Sequence, residues 1–204
     1  MKIDNWIIVS FVTHNTPYEK VLAQYLLPSL DKLKLPHHIE VIENQGSWLK
    51  NVAQKPKVIL NALEKYPHLN IVCLDADSEI LSYPELFNQI PDEYDIALHK
   101  LNWRTFYGHD VDRQEILSGS LWLRNNDKIK DLVTQWYLEA TKSFEWEQKV
   151  LERLLLKNID IKVFKLPLSY CFIRTLPDSS KPKVECNPII QHNQVSRYLK
   201  RQIR

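Results

Sequence analysis

Glycine is scarce in this chain. Of 204 residues only Gly46, Gly108 and Gly119 are glycine. A Walker-type phosphate loop or a dinucleotide fingerprint needs several glycines at short fixed spacings, so both are excluded. Cysteine is scarce as well. Cys73, Cys171 and Cys186 are odd in number and show no metal-type or redox-type spacing, which reads as reduced thiols in a cytoplasm. Long apolar runs are missing. Ile7–Val12 has a strand's length rather than that of a signal-peptide core, and no segment approaches the ~20 apolar residues of a membrane span. The expected location is therefore cytoplasmic. A dominant charge is missing too: the net charge is +2, too small to argue for nucleic acid, and none is expected as a partner. The basic residues that gather late, Arg197, Lys200, Arg201 and Arg204, offer a surface for peripheral membrane contact.

What is present is a globular composition, 44% apolar and 25% charged, with neither repeat nor linker, which predicts one domain over residues 1–204. Trp6–Val12 reads as a buried strand, followed by the polar loop Thr13–Pro17. The pattern predicts one helix after it, with Thr16 as N-cap, Pro17 at the first helical position and Glu19 closing a capping box. That helix carries Val21, Leu22, Tyr25, Leu26, Leu30 and Leu33 on one side. Ile39–Ile42 is a second strand, and a helix opening near Pro56 and ending near Tyr66 leads to a third, Ile71–Leu74. Strand and helix alternating in this way predict an α/β fold with a Rossmann-like, mostly parallel central sheet and helices on both faces. Further strands are expected at Ile96–Leu98, Ser118–Leu123, Lys162–Lys165 and Tyr170–Ile173. Helices are expected after Asn126 or Asp127 and over Trp146–Leu156. The aromatic stretch Lys100–Glu115 reads as a long irregular lid or binding loop.

The chemistry concentrates where the third strand runs into Asp75-Ala76-Asp77. Ligands of α/β sheets gather at the carboxyl ends of strands. Two carboxylates at i and i+2, on one face if the strand continues, supply hard oxygen ligands suited to Mg²⁺ or Mn²⁺. A lone motif of this kind is also ordinary acidic turn chemistry. Thr13, His14 and Asn15 close the first strand, where a base or ribose would be held, although turn chemistry explains such residues equally. Trp48, after Gly46-Ser47, either stacks on a base or belongs to the core. Ser118-Gly119-Ser120 permits close backbone approach or simply starts a strand. Glu147 opens a helix, where its charge suits the dipole.

Together these patterns resemble the GT-A class of nucleotide-diphospho-sugar glycosyltransferases, and small bacterial and phage-type members above all. The resemblance rests on the Thr13-His14-Asn15 loop, Leu74-Asp75-Ala76-Asp77, Leu117-Ser118-Gly119-Ser120, Trp146-Glu147-Gln148 and Ile190-Gln191-His192 with Ser196-Arg197 and Lys200 behind it. It runs nearly the full length, and the D-x-D is its diagnostic part. It implies a GT-A-like fold and a nucleotide-sugar donor, a UDP-sugar, with the acceptor unknown. Asp75, Asp77 and His192 would be ligands of Mn²⁺ or Mg²⁺. Thr13, His14, Asn15, Trp48, Asp75, Ser118, Gly119 and Lys200 would sit around the donor. Glu147 and Gln148 would meet sugar hydroxyls or face the anomeric carbon. The resembling branches usually carry Gly after the His, where this chain has Gln194 and Val195.

Two other classes compete. A non-catalytic nucleotide- or sugar-binding module would keep the same fold and motif. Haloacid-dehalogenase phosphohydrolases also place D-x-D after an apolar strand, but on the first strand and followed by Thr or Val. Here it follows the third strand, with Ser78 next and no later Gly-Asp plus Asp pair.

Overall fold

The computed structural model describes residues 4–108, 110–175, 182 and 184–203. Arg204, one of the late basic residues, lies outside the described residues. The first strand, β1 (Trp6–Thr13), sends Trp6 and Ile8 to one face of a sheet and Ile7 and Val9 to the other, and all are buried. A strand covered on both faces reads as a continuous apolar run rather than an alternation, as it does here.

The expected helix after β1 is two helices, α1 (Tyr18–Gln24) and α2 (Leu26–Leu33), broken at Tyr25. Pro28 explains the break, because its ring would clash with the carbonyl of Gln24 in a continuous helix. The capping also differs from the expected box. Pro17 holds the N-cap position without a side-chain bond, and Thr16 Oγ1 turns inward to donate to the Thr13 carbonyl at 2.8 Å. Glu19 instead accepts from the backbone N–H of Asn15 at 3.4 Å.

β2 (His37–Ile42) leads through a loop to α3 (Trp48–Val52), capped by Ser47, whose Oγ accepts from the N–H of Lys50. Then come α4 (Lys55–Lys65), with Pro56 in its first turn, and β3 (Asn70–Leu74). The two aspartates follow in a turn rather than on a continuing strand, closed by Ser78 N–H donating to the Asp75 carbonyl at 3.0 Å. β4 (Ser78–Ile80) starts straight after it.

Lys100–Glu115 is more regular than its composition predicts. β5 (Ile96–Asn102) and β6 (Gln114–Leu123) form an antiparallel hairpin whose tip carries the short helix α5 (Trp103–Tyr107). Cross-strand pairing along the stem supplies the hydrogen bonds that a free loop would have to find in water. α6 (Asp127–Ala140), capped by Asn126, and α7 (Glu147–Lys157) match their patterns closely. The remaining elements are β7 (Val163–Lys165), β8 (Phe172–Ile173), β9 (Ile190–His192) and the short helix α8 (Ser196–Leu199).

The main sheet has the order β2-β1-β3-β6-β5-β7. Only β6 runs against the other five strands, so the sheet is mostly parallel. α4, α6 and α7 cover one face through Ile59, Leu63, Val133, Trp136 and Leu151. α1, α2 and the segments around Phe87 and Tyr170 cover the other. A small sheet, β4-β9-β8, crosses the carboxyl end of β3. It brings residues 190–195 over the aspartate turn.

Candidate active site

The site begins with β9. Pairing of β4 with β9 sets His192 opposite Ser78, beside the Asp75–Asp77 turn. One ligand atom each from Asp75, Asp77 and His192 lies within 4.8 Å of the others. Each carboxylate has one oxygen anchored by protein. Asp75 Oδ1 lies 2.7 Å from Lys55 Nζ, and Asp77 Oδ2 accepts from the N–H of Val195 at 2.9 Å. The other oxygens turn toward the imidazole: Asp77 Oδ1 is 3.8 Å from His192 Nδ1. Two hard oxygens and an imidazole nitrogen form a donor set that fits Mn²⁺ or Mg²⁺.

The segment that follows His192 grips Asp77. Asn193 donates to the Asp77 carbonyl from both its backbone N–H, at 3.1 Å, and its Nδ2, at 3.0 Å. Gln194 takes a left-handed conformation, φ 53°, which lets the chain turn so that Val195 N–H points back at Asp77. Such a φ suits glycine, and a non-glycine residue there costs roughly 1–2 kcal/mol. His192 is wedged between Ser120 Oγ, 2.9 Å from Nε2, and Ser78 Oγ, 3.2 Å from Nδ1. Burial disfavours its charge, Cys171 and Asp77 favour it, and its pKa is pushed up to about 10, so a cation ligated there would have to displace a proton. Gly119 is what gives the ring room. A Cβ there would stand 2.8 Å from His192 Cε1 and 3.1 Å from Asp75 Oδ2.

Beside this cluster lies a buried ion pair that the sequence reading missed. Lys55, 4% exposed, places Nζ 2.7 Å from Asp75 Oδ1 and 3.0 Å from Glu147 Oε1, and donates to the Ser118 carbonyl at 3.2 Å. Burial opposes its charge, but Asp75 and Glu147 hold the amine protonated, above the ordinary lysine range. A signal did exist. Lys55 heads the stripe Lys55, Ile59, Ala62, Leu63 on α4, a cation at i of an i+4, i+7, i+8 apolar face. Glu147 is turned into the site and accepts from Ser118 Oγ at 2.8 Å.

Gln148 has both ends of its amide occupied. Its Oε1 accepts from the N–H of Ser118 at 3.0 Å, and its Nε2 donates to Glu115 Oε1 at 3.0 Å. An N–H on one side and a carboxylate on the other force that orientation.

Lys55, Asp75, Asp77, Ser118, Glu147 and Gln148 line one cleft of about 770 Å³, with Thr13, Tyr18, Trp48, Asn51, Trp146 and Lys200 also on its walls and His192 buried behind the carboxylates. Trp48 and Trp146 meet edge to face at 6.0 Å, and Lys200 Nζ lies 5.7 Å from both ring centroids. The Trp48 indole N–H donates to Tyr18 Oη at 3.1 Å. Thr13 Oγ1 is buried and accepts from Asn51 Nδ2 at 3.4 Å. Ser118 lines the cleft, while Gly119 backs the Asp75–Asp77–His192 cluster. His14 and Asn15 do not line it. His14 is exposed and paired with Glu19, and Asn15 holds a left-handed φ of 55° in the turn. The three cysteines are free.

No protein-family model and no curated protein matches the sequence. Solved structures do match. The chain is similar to a glycosyltransferase involved in glycosylation of the major capsid of PBCV-1 (TM-score 0.63, 13% identity, 97% of this chain against 98% of that one). It is similar also to mouse xyloside xylosyltransferase 1 (0.58, 13%, 95% against 99%). A third likeness is to the glycosyltransferase GlyE of Streptococcus pneumoniae TIGR4 (0.57, 14%, 93% against 54%). At such identities the likeness establishes the fold, which is that of the GT-A-type glycosyltransferases.

Proposed function

We propose that this protein is a metal-dependent glycosyltransferase that draws its sugar from a nucleoside diphosphate donor, a UDP-sugar. The observation that carries the reading is the convergence of Asp75, Asp77 and His192 beside the buried Lys55–Glu147 pair, in a cleft large enough for a sugar nucleotide. Asp75, Asp77 and His192 would hold Mn²⁺ or Mg²⁺, which when bound neutralises charge developing on a departing diphosphate. Lys200 would leave its place between Trp48 and Trp146 to meet phosphate oxygens, as a cation adds to the same stabilisation. Trp48 and Thr13 would hold the nucleoside. Glu147 and Gln148, fixed by Lys55, Ser118 and Glu115, would present a rigid wall to the transferred sugar.

The cleft's carboxylates also bear on stereochemistry. Among the described residues its lining acids are Asp75, Asp77, Glu115 and Glu147. Asp75 and Glu147 share Lys55, Asp77 is held by Val195, and Glu115 accepts from Trp103, Gln148 and Lys149. A general base for inversion needs a carboxylate open to the acceptor hydroxyl. Glu115 and Glu147 are thus occupied, and the remaining oxygens of Asp75 and Asp77 would be taken by the ion, which supports transfer with retention.

Thermal unfolding tests the donor reading. UDP with Mn²⁺ should stabilise the fold by about 2.7 kcal/mol at about 100 times Kd, and UDP with a chelator should not. Equal stabilisation in both would overturn a metal-bridged donor. Slow release of free sugar from a UDP-sugar separates an enzyme from a binding module, and the anomer first formed, read by proton NMR, scores retention.

A further inference from the structure

The cleft has a second wall, at the tip of the β5–β6 hairpin, that the donor reading leaves unused. Trp103 and Tyr107 stand there edge to face, their centroids 5.8 Å apart. The Trp103 ring is fixed by its edge, because its indole N–H donates to Glu115 Oε2 at 2.9 Å. Glu115 Oε1 in turn accepts from Gln148 Nε2 at 3.0 Å and sits 3.1 Å from Lys149 Nζ. One largely buried carboxylate thus ties the hairpin tip to the residue expected at the transferred sugar. A molecule resting on this wall is held beside the place where the sugar changes hands.

The wall also carries a particular charge. The guanidinium of Arg113 lies over the Trp103 ring, 4.5 Å from its centroid. Lys149 is neutralised by Glu115 and Glu152, whereas the Arg113 side chain makes no hydrogen bond or ion pair with any described residue. A guanidinium stacked on an indole is held by its face and keeps its in-plane N–H donors available, in a fork that matches a carboxylate or phosphate. A wall meant for a neutral sugar would leave the indole face bare for the pyranose ring. Here the guanidinium covers part of that face.

We infer that the hairpin tip is the acceptor subsite and that it takes an acidic saccharide, one bearing a carboxylate or phosphate group that Arg113 receives while Trp103 and Tyr107 flank the sugar. This rests on the glycosyltransferase reading for its placement, and the experiment separates the two. A printed array of neutral, uronate-bearing and phosphate-bearing glycans is probed with the full chain carrying Mn²⁺ alone, and again with Mn²⁺ and UDP. The wild type should prefer one acidic class over its neutral counterparts by about tenfold, the scale of one charge-assisted pair. Uronates and phosphates identify which oxyanion is read. Arg113→Gln should abolish the preference at an unchanged melting temperature. Arg113→Lys, which keeps the charge and loses the fork, should keep only part of it. An equal response to acidic and neutral glycans by the wild type, or a preference that survives Arg113→Gln, overturns the inference. Failure of UDP to bind with Mn²⁺ would count against the donor reading alone, since the array without nucleotide still scores Arg113.

Discussion

Lys55 governs the chemistry of the site at the scale of single residues. It is a buried cation shared by two carboxylates, so its removal leaves Glu147 buried and unpaired. Lys55→Met should cost about 3–5 kcal/mol in urea unfolding. Glu147→Gln added to that background should recover part of the loss, with a coupling of about 0.5–3 kcal/mol, whereas simple additivity would mean the pair does not act as a unit. Gly119 gives a sharper test of the ligand cluster. Its Cβ would meet a His192 ring that Ser78 and Ser120 hold from both sides, so the ring cannot step aside. Gly119→Ala should destabilise by about 1–3 kcal/mol, and calorimetry should show Mn²⁺-dependent UDP binding lost in the folded protein. Wild-type affinity in this variant would show that the three residues do not form the ion site. The aspartates were legible because an apolar run ending in two acids is a local pattern. Lys55 was legible only as a cation heading an apolar stripe, because the fold alone reveals that its helix starts beneath Ser118 and Asp75. The departure at Gln194 was visible in the sequence, but not its remedy, in which Gln194 itself adopts the left-handed turn.

At the scale of elements, the legible parts were those with a full period to display. α4, α6 and α7 show their apolar faces over 11–14 residues, and their ends fall close to expectation. β4, β8 and β9 hold two or three residues each, too few for a period: β8 falls within the expected Tyr170–Ile173 strand, β4 was not expected, and all three are set by pairing with one another. The hairpin was misread for another reason, since its aromatic tip resembles loop composition while its stem is set by cross-strand partners. Asn102 holds that tip together. Its Oδ1 accepts from the N–H of Thr105 at 3.1 Å, and its Nδ2 donates to Asp112 Oδ1 at 2.7 Å across the hairpin. Asn102→Ala should cost about 1 kcal/mol. The loss should show as faster hydrogen exchange confined to residues 103–107. Exchange accelerating across the whole sheet would mean that the tip is integral to the core.

For the whole molecule, alternation of strands and helices announced the α/β class but not the strand order. Placing β6 antiparallel between β3 and β5 depends on contacts that no local window contains, and it is this placement that sets Ser118 and Gly119 beside Asp75. The grip of Asn193 and Val195 on Asp77 has a consequence in time. The bonds that assemble the ligand cluster close loops of 72 to 118 residues, and such closures come late because little of their energy is gained before the ends meet. In a nascent chain β1–β3 are therefore present long before the Asp75–Asp77–His192 cluster can form, and the cleft stays unfinished until residues 190–195 have been translated and placed between β4 and β8. In stopped-flow refolding, tryptophan fluorescence should recover ahead of Mn²⁺-dependent UDP binding. Recovery of both in a single phase would mean that the site assembles together with the core.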